Sequence, residues 1–306
     1  MPDMKPLSGK VMLVTGAGNG IGRAIAMEAA RAGAQVVVND IGASLDGQRE
    51  SSAAAQDTVA EIERSGGVAI ANGDDVSDPQ GAKNMVQQAV SAFGRLDSVV
   101  NNAGILRDCF FHKMSFEDFD AVVKVHLYGT FNVSRAASEV MREQGSGSLI
   151  HMTSTSGLIG NLAQANYSAA KLGVAALSKS MALDLKRWNI RSNCIAPFAW
   201  SRMTSSIKVD SPEQQERVDR MKEMKPEKIA PVALYLASDQ GAETTGQIFA
   251  VRSNEIFLMS QPRPVRAVHR GEGWDIDSVT RHAMASLKSS YVPLDVSADV
   301  FNWDPV

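Results

Sequence analysis

The 306-residue sequence predicts an α/β fold: a doubly wound parallel sheet of seven strands with helices on both faces. Three observations predict it. Short continuous apolar runs alternate with segments that are apolar at helical spacing, the pattern of strands buried on both faces and joined by crossover helices. A glycine-rich turn separates the first run from the first helix. Gly16, Asp40, Asn102, Ser154 and Pro197 all fall at the carboxyl ends of expected strands, where open α/β sheets bind ligands.

Val11–Thr15 (VMLVT) is the first expected strand, and it runs straight into Gly16-Ala17-Gly18-Asn19-Gly20-Ile21-Gly22. IGRAIAMEAARAG follows with helical periodicity and stops at Gly33, which suits a left-handed cap. Gln35–Asn39 is the second strand, and Asp40 ends it. A helix over 52–64, a strand at Val68–Asn72 and a helix over 75–93 repeat the pattern. The fourth strand, 96–101, ends at Asn101-Asn102-Ala103-Gly104. A long helix covers 115–144 with a break expected near Gly129, and the fifth strand, 148–153, leads to Ser154. The helix carrying Tyr167 extends to about residue 188, the sixth strand is 190–196, another helix covers about 226–238, and the seventh strand is 247–251. Right-handed crossovers close the layout into a Rossmann-type domain over 1–251. Residues 252–306 read as an extension packed on that domain: an apolar stretch (EIFLMS), a Pro/Arg segment, one helix near 277–289 and an extended tail.

With 44% hydrophobic and 21% charged residues, the chain has ample material for one large core. A net charge of -3 gives no basis for binding nucleic acid or an anionic membrane. Cys109 and Cys194 have no metal-like spacing, so no disulfide framework or metal site is expected, and a reducing compartment is. MPDMKPLSGK holds no signal-peptide core, no window approaches a membrane span, and NWDPV carries no peroxisomal or retention tail. A cytoplasmic protein is expected.

The glycine turn departs from the commonest fingerprint, because Ile21 stands where a G-x-G-x-x-G beginning at Gly16 wants its third glycine. It satisfies T-G-x-x-x-G-x-G at Thr15, Gly16, Gly20 and Gly22. With a strand before and a helix after, this places a helix N-terminus and free N–H groups, Asn19 and Ile21 among them, against a phosphate. The alternative is glycines serving only a tight turn. Asp40 ends the second strand about 20 positions on, where a carboxylate accepts bonds from both ribose hydroxyls. It would repel a 2′-phosphate, and no Arg adjoins it, so NAD is favoured over NADP; the alternative is a solvated loop carboxylate. Asp75 and Val76 are placed to touch the adenine, although Asp74 competes with Asp75 and either carboxylate can instead cap the following helix.

Tyr167 and Lys171 stand four apart in the Ala-rich run Tyr-Ser-Ala-Ala-Lys, and therefore on one helix face. A phenol ordinarily titrates near about 10. A neighbouring ammonium favours the phenolate, which lets the pair exchange a proton with an alcohol or ketone. Ser154, thirteen residues earlier, can bond the same substrate oxygen if the chain folds back there.

Taken together, TGAGNGIG, NNAG at 101–104, and Ser154 with YSAAK resemble the classical short-chain dehydrogenase/reductase family over about residues 8–251. The segments VVVND, VNNAGILRD, VHLYGTF, GNLAQANYSAAKLG and IAPFAWSRMT look like the (3R)-hydroxyacyl-CoA dehydrogenase units of peroxisomal multifunctional enzyme type 2. The resemblance implies a dehydrogenase acting on β-hydroxyacyl-CoA thioesters, with steroids as the alternative substrates. It makes Tyr167 the acid/base, Ser154 the partner of the substrate oxygen and Lys171 the holder of the nicotinamide ribose. Asn102, Ala103 and Gly104 would line the adenine ribose side, and Pro197 with its loop would meet the nicotinamide. A homodimer or homotetramer is implied, pairing through the helix around 115–142. Two positions depart from the wider family. His126 stands where Asn is usual, either as a core histidine or as a proton-relay member, and Phe198 follows Pro197 where Gly is usual. Phe198, Trp200 and Met203 either face an apolar substrate or pack on one another. The stretch 158–164 is expected as the opposite wall, and Arg263, Arg266, His269 and Arg270 either meet coenzyme A phosphates or form a solvated run.

Overall fold

β1 (Val11–Thr15) is buried at every position and sends alternate side chains to opposite sheet faces. Met12 and Val14 join one core with Ile25, Val36, Val38 and Ile150, while Val11 and Leu13 join the other with Val37, Met85, Val99 and Leu149. A continuous apolar run therefore serves both layers, and each fully buried Leu, Ile or Met contributes roughly 1.5–3 kcal/mol. The computed structural model describes residues 5–44, 46–47, 53–199, 211, 215, 218–219 and 222–305.

The sheet order is β3-β2-β1-β4-β5-β6-β7-β8, with β2 at Gln35–Asn39, β3 at Val68–Asn72, β4 at Ser98–Asn101, β5 at Gly147–Met152, β6 at Ile190–Phe198 and β7 at Ile248–Arg252. These seven are parallel, and the order reverses between β1 and β4. α1 (Gly20–Arg31) and α2 (Ala53–Arg64) lie on one face, and α3 (Pro79–Phe93) and α5 (Gly129–Gln144) on the other.

Among the described residues the sheet has eight strands rather than seven. β8 (Glu255–Leu258) turns back antiparallel onto β7 through Ser253, whose φ is +53°. Its four residues alternate half-buried and exposed, satisfying the open edge of β7. So short a run outside the strand–helix alternation reads in sequence as irregular extension.

No helix break occurs at Gly129. α4 (Phe116–Val123) continues into α5 through a single π-turn, Lys124–Tyr128. The glycine instead permits close packing, since a Cβ there would meet Val76 Cγ2 at 2.7 Å. α3 begins at Pro79 rather than at 75: Asp78 caps it by accepting from the N–H groups of Gln80 and Gly81, with proline at the first helical position. Asp75 accepts instead from Ser77 N and Oγ.

The residues after β7 return to the sheet edge. Arg252 donates to the carbonyls of Phe301 and Trp303, and Ser297 donates to Gly160 O. The rings of Phe257, Phe301 and Trp303 meet edge-on or tilted beside them.

Candidate active site

At the β1–β4 reversal the glycine turn is shaped by what surrounds it. Gly16 (φ +62°) and Gly20 (φ +55°) are left-handed, where side chains are disfavoured. A Cβ on Gly22 would sit 2.3 Å from Gly16 O, and one on Gly18 would sit 2.7 Å from Asp40 Oδ2. Asn102 locks the turn by donating from Nδ2 to Thr15 O and Gly16 O, both at 3.0 Å, while Thr15 Oγ1 accepts from the N–H groups of Asn102 and Ala103. Asp40 is held against the same turn: its Oδ2 accepts from Gly18 N at 2.9 Å and its Oδ1 from Gly42 N at 2.7 Å.

Beside this turn opens a cavity of about 470 Å³. Gly16, Asn19, Gly20, Ile21, Asp40, Asp75, Val76, Asn102, Ala103 and Gly104 line it. Gly22, Tyr167, Lys171 and Pro197 are not among its walls: Gly22 packs against the turn from within α1, and Pro197 pairs with Val251 inside the sheet. Sequence reasoning missed Asn39, Ile41, Arg107 and Lys124, which also face the cavity. Both cations are ion-paired, Arg107 with Asp118 and Lys124 with Asp120.

The second group lies at the end of β5 and on α7 (Ala165–Asp184). Ser154 is extended and caps the short helix α6 (Thr155–Leu158), its Oγ accepting from Ser156 N at 3.1 Å. α6 packs on α7 because Gly157 has no Cβ, which would come within 2.7 Å of Leu172 N. This contact brings Ser154 back toward Tyr167, close enough for its hydroxyl to lower the phenol's pKa. Lys171, 4% exposed, donates to Met152 O at 2.6 Å and lies 5.6 Å from the centre of the Tyr167 ring.

Electrostatics here are dominated by burial, which the sequence argument did not weigh. Burial pushes the Tyr167 phenol up to about 12, against the lowering effect of the nearby Ser154 hydroxyl, and Asp108 adds to the rise. Burial likewise pulls Lys171 down to about 7. An unfolded lysine keeps its proton to 10.5, so between about 7 and 10.5 the unfolded chain binds more protons and stability rises with pH. Lys171→Met removes that rise. Its melting temperature, measured against wild type at pH 7 and pH 9, will gain on wild type at the lower pH.

His126 is buried, meets Tyr167 edge-on at 5.1 Å, and has Nε2 2.8 Å from Ile105 O and 3.1 Å from Ile105 N. Burial and the nearby Lys171 lower its pKa well below the usual histidine value, so the ring is neutral. A Cβ on Gly104 would lie 2.2 Å from its Cε1; the glycine is the space the imidazole occupies. A second buried histidine, His151, was missed by sequence. It joins Asn101 to Ser192 at 3.0 Å each, and Ser192 meets Ser178 at 2.9 Å. No periodicity distinguishes these polar residues from apolar neighbours.

On the substrate side, Phe198 packs on Phe301 at 4.9 Å, while Trp200 and Met203 lie outside the described residues. Of the 158–164 wall, Gln164 and Asn161 bond Ser156. Arg263, Arg266, His269 and Arg270 do not line the cavity; Arg266 donates to Ser289 and Arg270 pairs with Glu272.

Residues 10–211 match the family model of the short chain dehydrogenases. A short-chain type dehydrogenase/reductase of Mycobacterium tuberculosis is 48% identical over 240 residues, covering 78% of this chain and 81% of the relative. Peroxisomal multifunctional enzyme type 2 of Mus musculus is 44% identical over 86% of this chain, which spans only 34% of that enzyme. A hydroxyacyl-CoA dehydrogenase of M. tuberculosis is 38% identical over 90% of this chain and 87% of its own length. Among solved structures, a short chain dehydrogenase from Mycobacterium avium superposes with TM-score 0.82 at 38% identity, covering 94% of this chain and 97% of its own. A 7α-hydroxysteroid dehydrogenase complexed with NADH and 7-oxoglycochenodeoxycholic acid superposes with TM-score 0.73 at 32% identity, covering 83% and 97%.

Proposed function

Because the chain belongs to the short chain dehydrogenase family, we propose that it is an NAD-dependent dehydrogenase interconverting a secondary alcohol and a ketone, with a 3-hydroxyacyl-CoA as substrate. The observation that carries the reading is Tyr167 with buried Lys171 5.6 Å from its ring centre and Ser154 acting on its phenol, next to a cavity walled by Asp40. The cradle fits a dinucleotide: the turn brings backbone within reach wherever a Cβ is absent, and Asp40 presents a carboxylate for ribose hydroxyls. Bound there, the nicotinamide supplies the acceptor for the carbinol hydride. Ser154 donates a hydrogen bond to the substrate oxygen, Tyr167 in its phenolate form takes the alcohol's proton, and Lys171 while protonated holds positive charge beside that phenolate.

The thioester rests on likeness to the hydroxyacyl-CoA dehydrogenase and on the multifunctional-enzyme relatives. The steroid complex of the structural neighbour favours a second reading, a hydroxysteroid dehydrogenase. Comparing kcat/KM for NAD reduction separates them. A 3-hydroxyacyl-CoA will exceed a free hydroxysteroid by at least ~10-fold, because binding energy from the remote carrier is used at the reacting carbon. The reverse order would assign the steroid.

A homodimer is proposed on exposed Phe116, Phe119, Tyr128 and Phe131, which lie along α4, the π-turn and α5. Two free cysteines support a reducing, cytoplasmic setting. Among the described residues no helix is long and apolar enough to cross a membrane.

A further inference from the structure

Hydrogen bonds around Ser154 continue past the two reacting hydroxyls. Gln164, the residue before α7, donates from Nε2 to Asp108 Oδ2 at 2.9 Å. Its Oε1 accepts from Ser156 Oγ at 2.9 Å and from Asn161 Nδ2 at 3.3 Å. Ser156 N in turn donates to Ser154 Oγ at 3.1 Å.

Chemistry fixes the direction of this chain. A carboxylate only accepts, so Asp108 holds the amide nitrogen of Gln164 and turns Oε1 toward Ser156. The Ser156 hydroxyl spends its proton on Oε1 and accepts from Asn161 Nδ2 at 3.2 Å. Its backbone N–H holds Ser154 Oγ by occupying one of its lone pairs. The backbone keeps these partners in register. Ala163 is left-handed at φ +59°, its carbonyl accepts from Cys109 N at 2.8 Å, and Cys109 bridges Gln164 in parallel. Asn166, two residues after Gln164, donates to Arg107 O. Asp108 thus sits in a loop tied on both sides to the start of α7.

We propose that Gln164, oriented by Asp108, is a positioning residue that anchors Ser156 and through its N–H holds the Ser154 oxygen in place for the reacting oxygen. It touches no reacting atom and acts through Ser156. The inference rests on the catalytic reading of Ser154 and Tyr167 given above.

A double-mutant cycle tests it. Gln164→Leu keeps the volume and removes both amide bonds. Expected are a fall in kcat of at least ~10-fold and a KM for NAD within about twofold of wild type, since the cradle is untouched. The low-pH limb of the kcat/KM profile for alcohol oxidation, where the phenol must lose its proton to act as base, will move to higher pH, because the Ser154 hydroxyl lowers that phenol. The other groups facing Tyr167 (Asp108, His126 and Lys171) keep their charges in this variant. In a Ser154→Ala background the same change will alter kcat by less than about twofold. Equal losses in both backgrounds, an unshifted pH profile with only a lowered Tm, or undiminished kcat would each overturn the proposal. Should Gln164→Leu not fold, Asp108→Asn at its exposed site runs the same cycle. The amide lets Gln164 flip, and a loss of ~3-fold or more is expected with Ser154 present and none without it. Turnover surviving in Tyr167→Phe would instead sink the underlying catalytic reading, a separate result needing no change at Gln164.

Discussion

Tyr167→Phe will lower kcat by about 10³-fold while leaving NAD affinity within about twofold, as steady-state kinetics and calorimetric titration of NAD will show. The substitution deletes one oxygen and keeps the ring that packs edge-on against His126, so the local core stays filled. What disappears is the hydroxyl that Ser154 acts on, carried by a ring whose centre lies 5.6 Å from Lys171 Nζ. A 10³-fold loss corresponds to about 4 kcal/mol of transition-state stabilisation, within the range general acid–base groups supply. In the reading proposed above, NAD binding draws on the glycine turn and Asp40, whose hydrogen bonds do not involve Tyr167.

Asp40→Ala will reverse cofactor preference, shifting the ratio of kcat/KM for NAD over NADP by about 10²-fold or more. A carboxylate within about 4 Å of a phosphate opposes it by an amount on the order of 4 kcal/mol at an effective dielectric near 20, and that opposition vanishes with the side chain. The same substitution frees the N–H groups of Gly18 and Gly42, so stability falls by about 1–2 kcal/mol. Loss of stability depresses both cofactors alike, whereas loss of charge moves the ratio. Initial rates with each cofactor across a concentration series check it.

Much of this molecule was legible in its sequence because parallel strands buried on both faces are continuous apolar runs. VMLVT and QVVVN announce themselves without context. The glycine turn and YSAAK were legible for a different reason: backbone approach and helix-face geometry dictate residue types at fixed spacing. β8 was not legible, because a four-residue edge strand with two exposed apolar residues carries no periodicity distinct from a loop. Gly129 was misread for an instructive reason. A helical glycine marks either a break or a close neighbour, and only the fold shows Val76 against it. The dominance of burial over the lysine charge at Tyr167 was equally hidden, since burial is a property of packing and not of spacing. Gln164 and Asp108 stand 56 positions apart, and nothing local in either segment pairs them.

The central claim is that this chain moves a hydride from a secondary carbinol carbon to NAD. A 3-hydroxyacyl-CoA carrying deuterium at that carbon, incubated with the protein and NAD, tests it when the recovered cofactor is weighed by mass spectrometry. One deuterium per reduced cofactor is the predicted result. Reduced cofactor without label, or NAD left oxidised beside both thioester and hydroxysteroid substrates, would contradict the account.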